Sequence, residues 1–294
     1  MKAHHPRIFF DRDTTLKYET NSWSRRLLNF FLIPLLNLLP GSLRGLARKT
    51  HRSAGGIIDK ATSHEALEIL YRDGEPHKTK GWLQAFFFNL WFTTNNPKAV
   101  RNRLRLVTRE LSAELRKRFS DGKSVKILSI ASGSARAVVD SLKLTQQETL
   151  PCSVFFLDKN PKALEYSKAF AKESALPSNY TFSWAEDTAS NFPHHADAPD
   201  IVEMVGLLDY FSDEKVKELL ALIREKLAPG GVLITANIRN NLERPFLTNF
   251  VGWRMVYREP EDFYELARAA GFRDDDLRVM VEPMGIHFVL VARK

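Results

Sequence analysis

From residue 123 onward, short apolar runs alternate with segments of helical period. The runs 126–130, 153–157, 180–184, 201–205 and 231–236 read as strands, and the segments 135–142, 161–173 and 213–227 read as the helices between them. A helix at 261–270 and two strand-like runs, 277–283 and 286–293, close the chain. Strict alternation of this kind predicts an α/β architecture in which a parallel sheet carries helices on both faces.

Before Asp121 the pattern is helical throughout. Helices are expected around Leu43, from a capped start at Ser63, over the aromatic stretch 82–92, and from Asn96 to about Phe119. In the last of these Asn96 is the expected N-cap and Pro97 the first helical residue, while Val100, Leu104, Val107, Leu111 and Leu115 recur at spacings of three and four. The outer face of that helix is basic. The chain therefore divides into a helical N-terminal extension, 1–122, and an α/β domain, 123–294.

The apolar block 25–44 is a special case. Its uninterrupted core, 27–39, is too short to span a bilayer, is broken by Pro34, and lies too far along the chain for an ordinary secretion signal. Two readings stand: a helix pair packed over the α/β domain, or an interfacial membrane anchor with Arg25, Arg26, Arg44, Arg48 and Lys49 at its rim.

Composition narrows the field. A chain of 294 residues with 44% hydrophobic and 27% charged residues can bury a core without metal or disulfides, and the single Cys152 cannot build a disulfide framework. A reducing, cytoplasmic compartment is the expectation. His194 and His195 lie in a loop with no further ligand nearby in sequence, so no metal site is expected. The net charge of +8 is uneven: residues 1–123 hold 23 Lys/Arg against 11 Asp/Glu, and the remainder is slightly acidic. Such asymmetry suits an anionic partner for the N-terminal part, or simply a solvated basic face.

The candidate chemistry centres on ILSIASGSAR, residues 127–136, where a buried strand turns through Gly133 into a helix N-terminus. Twenty-five positions after Gly133, a second apolar run ends in Asp158, placed to accept the hydroxyls of a ribose. An acidic pair, Glu186 and Asp187, follows the third strand; PDIVEMVGLLDYF covers the fourth; LAPGG precedes the fifth; and AAGF follows the last helix. In this order the segments make residues 123–294 resemble a class I S-adenosylmethionine-dependent methyltransferase domain.

The resemblance implies a Rossmann-like sheet with an antiparallel last strand and S-adenosylmethionine as cofactor. It implies cofactor contacts from Ser129, Ala131, Ser132, Gly133, Asp158, Lys159, Glu186, Asp187, Val205 and Gly206. Methyl transfer needs alignment of the nucleophile and, for some acceptors, removal of a proton. Candidates for this are Asp209, Tyr210, Asn237 and Tyr257, with Arg239, Asn240, Trp253 and Arg258 nearby in sequence. His287 falls inside an expected strand and reads as a buried, satisfied side chain.

One departure stands out: the family carries an acid where this chain has Ser129, and alanines replace flanking glycines at 131 and 135. Without the acid the cofactor's ammonium lacks a partner and its pKa should fall. Either another residue supplies the contact, or the amino-acid end itself reacts, as in aminocarboxypropyl transfer or cyclisation with release of methylthioadenosine. The expected function is methyl transfer to a small, partly apolar metabolite, with the N-terminal helices closing the site. RNA methylation guided by the basic helix is a further alternative, although no RNA-binding module is recognisable.

Overall fold

The structure is a computed structural model that describes residues 6–43, 63–71, 92–146 and 150–294. Its strands are β1 (Ile8–Phe10), β2 (Val125–Ile130), β3 (Cys152–Asp158), β4 (Tyr180–Glu186), β5 (Ile201–Val205), β6 (Val232–Ile238), β7 (Leu277–Val281) and β8 (His287–Arg293). The described helices are α1 (Trp23–Asn37), α2 (His64–Tyr71), α3 (Asn95–Ser120), α4 (Arg136–Leu144), α5 (Pro161–Glu173), α6 (Asp213–Lys226) and α7 (Pro260–Ala269). Beyond Leu43 itself, the helix expected from that residue onward lies outside the described residues, as does most of the aromatic stretch 82–92.

All eight strands form one sheet in the order β1-β7-β8-β6-β5-β2-β3-β4, and only β8 runs antiparallel to its neighbours. The chain winds from β2 outward through β3 to β4, then returns to place β5 on the other side of β2. The crevice between β2 and β5 at the carboxyl edge is thus the topological switch point, where open α/β sheets hold ligands. The strands match their expected positions to within two residues, since apolar runs buried on both faces leave little ambiguity. β1 was not expected. Three residues carry too little periodicity, and β1 becomes a strand only by pairing with β7, Ile8 opposite Val279.

Alternate residues feed two cores. Leu128, Ile130, Val202, Met204 and Leu233 pack with α6 and α7 on one face, whereas Ile127, Val154, Ile201 and Ile234 pack with α3 and α4 on the other. Local caps delimit the crossovers: the Asn160 side chain accepts from the Lys162 amide ahead of α5, and Ser212 accepts from the Lys215 amide ahead of α6.

The long helix α3 lies directly on the sheet, with Leu106, Val107, Leu111 and Leu115 in the core beneath it. It begins two residues earlier than the sequence suggests, with Thr94 rather than Asn96 at the N-cap position, because its first amides, on Asn95 and Asn96, are capped by the distant Glu243 carboxylate at 2.7 and 3.0 Å. Several of its arginines turn inward onto acids. Arg101 forks onto Glu19 at 2.7 and 2.6 Å, Arg109 pairs with Asp11 and with Asp13 at 3.1 Å, and Arg118 bridges Glu114 and Asp200 at 3.1 and 2.8 Å. The helix therefore presents no uninterrupted basic stripe.

Arg118 also donates to the carbonyls of Asp200 and Gly230, tying the end of α3 to the starts of β5 and β6. Removing it takes four charge-assisted hydrogen bonds from this junction and leaves Glu114 and the Gly230 carbonyl to Arg293 and the half-buried Asp200 carboxylate to the Lys126 amide. Arg118→Ala is expected to destabilise the protein by about 3 kcal/mol in urea denaturation, whereas the neighbouring Lys117→Ala should cost under about 0.5 kcal/mol.

Candidate active site

At the switch point β2 runs out through Ile130 into a loop with alternating left-handed residues: Ala131 (φ 53), Gly133 (φ 53) and Ala135 (φ 59). The two alanines stand where glycine relieves strain, so the loop keeps a glycine-type path at some cost in backbone energy. Asp158, at the end of β3, holds it in place: its two carboxylate oxygens accept from the Gly133 amide at 2.8 Å and the Asn160 amide at 2.9 Å. The Ser132 hydroxyl is buried with no hydrogen-bond partner. α4 begins directly after the loop and directs the positive end of its dipole toward it.

The carboxylate missing at Ser129 is found one strand away. Parallel register sets Ser129 opposite Glu203 on β5, and the Ser129 hydroxyl donates to Glu203 at 2.5 Å. Glu203 is buried, and that burial pushes its carboxyl up to about 7 against the opposing effects of the Ser129 hydrogen bond and the Arg103 charge. No cation is hydrogen-bonded to it among the described residues. A cavity with about 510 Å³ of empty space, part of it open to solvent, is lined here by Ser132, Gly133, Ser134, Glu203 and Val205. Opposite lie His64, Leu67 and Tyr71 of α2. Glu68 of the same helix fastens α2 in place, accepting from Arg136 at 2.9 and 2.5 Å and from the Tyr166 hydroxyl at 2.8 Å.

A second, larger and predominantly apolar cavity of about 710 Å³, also partly open, adjoins the first. Leu67 lines both, and the chain passes from Val205 in one to Gly206 in the other. Its walls include Val100 from α3 and Phe246, Leu247 and Val251 from a π-helical turn, Phe246–Val251, after β6. Five ionisable groups interrupt this apolar lining: Arg103, Asp209, Tyr210, Glu243 and His287.

Burial raises the Asp209 carboxyl to about 6 against the charges of Arg103 and Arg258, and its Oδ1 accepts from the Ile238 amide at 3.0 Å. His287, the first residue of β8 and opposite Ile238, is buried; neither ring nitrogen makes a hydrogen bond of full geometry, and the ring feels only a weak contact with the Asn237 backbone. Burial and then the Arg103 charge hold its pKa well below the ordinary value, so the ring is neutral. The Glu282 carboxylate sets its backbone, accepting from the amides of Met284, Ile286 and His287.

Of the remaining candidates, Tyr210 lines the apolar cavity, its hydroxyl accepting from the Trp253 indole at 2.7 Å. Asn237 and Tyr257 do not line it; Asn237 is buried and accepts from Arg258 at 2.9 Å, and Tyr257 stacks beneath Arg244. Arg258 is a structural clamp that also reaches Asp213 and the Leu208 carbonyl. Lys159 and Glu186 are exposed at the carboxyl ends of β3 and β4. Asp187 organises its own turn, accepting from Asn191 at 2.7 Å and pairing with His195 at 2.8 Å.

The sequence reading passed over Glu203, Arg103 and Glu243. Glu203 carried a signal, a charged residue in the middle of the apolar strand IVEMV; Arg103 resembled any other base on a basic helix.

This chain belongs to the family described as "putative methyltransferase", whose model matches residues 50–294 and so reaches back beyond α2. No curated protein matches it. A possible exported protein from Bordetella parapertussis has the same fold, with a TM-score of 0.64 and 18% identity over 83% of this chain and 86% of that one. More distant are the apo S-adenosylmethionine-dependent methyltransferase SibL (TM-score 0.48, 20% identity, 64% of this chain and 55% of that one) and magnesium protoporphyrin IX methyltransferase from Synechocystis PCC 6803 with bound SAH (0.47, 14%, 66% and 87%).

The buried acid sets a pH signature. In the unfolded chain Glu203 ionises near 4.5, whereas in the fold it keeps its proton to about 7. Between these values the native state binds more protons, so stability falls as pH rises and levels off above 7. Glu203→Gln should therefore stabilise the ligand-free protein by about 2–3 kcal/mol at pH 8 and by almost nothing at pH 4, as read from denaturation midpoints at the two pH values.

Proposed function

We propose that the protein transfers a methyl group from S-adenosylmethionine, held in the crevice between β2 and β5, to a small, partly apolar acceptor in the adjoining cavity. The observation that carries this reading is the buried Glu203, with no cation hydrogen-bonded to it among the described residues, beside the unpartnered Ser132 hydroxyl, in a cavity that adjoins an apolar one. A buried carboxyl poised near neutrality suits an ammonium ligand, because a cation repays the cost of ionising it.

The residues present fit the cofactor. Glu203 would hold the ammonium, the α4 N-terminus the carboxylate, and Asp158 the ribose hydroxyls, with Lys159 and Glu186 at the adenosine end. The sulfonium of the bound cofactor supplies an activated methyl group. The chain's own contribution is to exclude water, orient the acceptor and receive its proton. His287 is the proposed base: it is neutral and lines the acceptor cavity, whereas Asp209 is the acid that balances Arg103. α2, which lines both cavities, serves as the closing wall. Because Glu203 can take the role left vacant at Ser129, the chief motive for aminocarboxypropyl chemistry is removed. The inward pairing of the α3 arginines likewise weakens the RNA reading.

Calorimetry should detect S-adenosylmethionine binding that strengthens as pH rises through about 7, and Glu203→Gln should lose about tenfold or more in affinity together with that pH dependence. Incubation with the cofactor and a metabolite extract should yield S-adenosylhomocysteine; accumulation of methylthioadenosine, or no cofactor binding at all, would overturn the reading. Once an acceptor is in hand, His287→Gln should lower kcat about 100-fold and leave cofactor affinity unchanged.

A further inference from the structure

Helix α1 is amphipathic in reverse. Its inward seam is the buried Asn29 and Ile33 and the half-buried Asn37, one residue every fourth position, and the asparagines hold it down: Asn29 donates to Asn95 at 3.0 Å, and Asn37 donates to the Leu242 carbonyl at 2.8 Å. The outward face carries Trp23, Leu27, Phe30, Phe31, Leu35 and Leu38, with Trp23 and Leu38 each 78% exposed and Phe30 72% exposed. At 100° per residue these positions form one continuous apolar face, which the exposed Leu242 beside Asn37 extends. Isolated exposed apolar side chains are ordinary, but a contiguous face of this width marks a contact surface.

Charge says which kind. From residue 20 to residue 58 the chain has no Asp or Glu and six Lys/Arg, two of them in the first turn of α1 and four shortly after its end. An apolar helix face with a tryptophan at one end, flanked only by cations, complements an anionic lipid surface, where rings and aliphatic chains enter the acyl boundary and cations meet the phosphates. At 15 residues α1 is too short to cross a bilayer, and no described helix is long and apolar enough to do so. We propose that α1 is an interfacial helix that docks the protein on an anionic membrane surface. The Phe246 amide donates to Asn37 at 3.1 Å, so docking would set the roof of the apolar cavity against the lipid.

The test uses the full chain and flotation with vesicles of phosphatidylcholine alone or containing 30% phosphatidylglycerol. Wild-type protein should float with the anionic vesicles, more weakly in high salt and with neutral ones. The combined variant Trp23→Ser, Phe30→Ser and Leu38→Ser should partition at least tenfold less. Its cofactor affinity by calorimetry should match wild type, which separates this inference from the proposed activity. Failure of wild type to float, or equal flotation of the variant, overturns the proposal. So does a wild-type dimer that the variant converts to monomer while neither floats, since the face would then seat a second copy.

Discussion

The contact between Ser129 and Glu203 is the constraint around which the carboxyl edge of the sheet is arranged. Two neighbouring parallel strands in register place a hydroxyl against a carboxyl in an apolar interior, where an ionised acid without a partner is strongly disfavoured. The fold answers with one short hydrogen bond, with the charge of Arg103 on α3, and with a cavity on the open side. None of these fully neutralises the acid, so it rests near its titration midpoint at neutral pH. This is the kind of local instability that binding sites retain, because a ligand of opposite charge turns it into affinity.

The position of α3 follows from the same need. It crosses the sheet where Arg103 can act electrostatically on Glu203, Asp209 and His287, and it is anchored at both ends, by Glu243 over its first amides and by Arg118 at its last turn. Two acids and an imidazole under one guanidinium acquire separated titrations: a carboxyl near neutrality, a more acidic carboxyl and a neutral histidine. Such separation assigns distinct proton roles to groups that would otherwise behave alike. Glu203 faces the β2–β5 crevice, whereas Asp209, His287 and Arg103 itself face the adjoining cavity with the apolar walls of the π-helical turn.

How much was legible beforehand can be judged residue by residue. The strands, the crossover helices and the loop at Gly133 follow from apolar periodicity and from turn chemistry, both of which act within a few residues. The loss of the acid at Ser129 was equally visible, but its replacement was not, because a register match between β2 and β5 joins residues 74 positions apart. His287 looked like core, and burial did place it there; only the assembled fold shows that it lines the apolar cavity. The α3 arginines read as a basic outer face, for solvent or an anionic partner, yet beside the local Glu110 and Glu114 their acids come from residues 11–19 and 200, distances over which composition gives no guidance.

The sequence by itself determined the α/β alternation, the order of the elements and the likeness to S-adenosylmethionine-dependent methyltransferases, since these rest on local period, on caps and on glycine turns. The tertiary structure alone decided which acid faces the crevice, which histidine faces the apolar cavity, and that α1 turns its asparagines inward and its aromatic residues outward. Desolvation, ion pairing and exposure are properties of neighbours in space, and those neighbours exist only once the sheet has brought distant segments together.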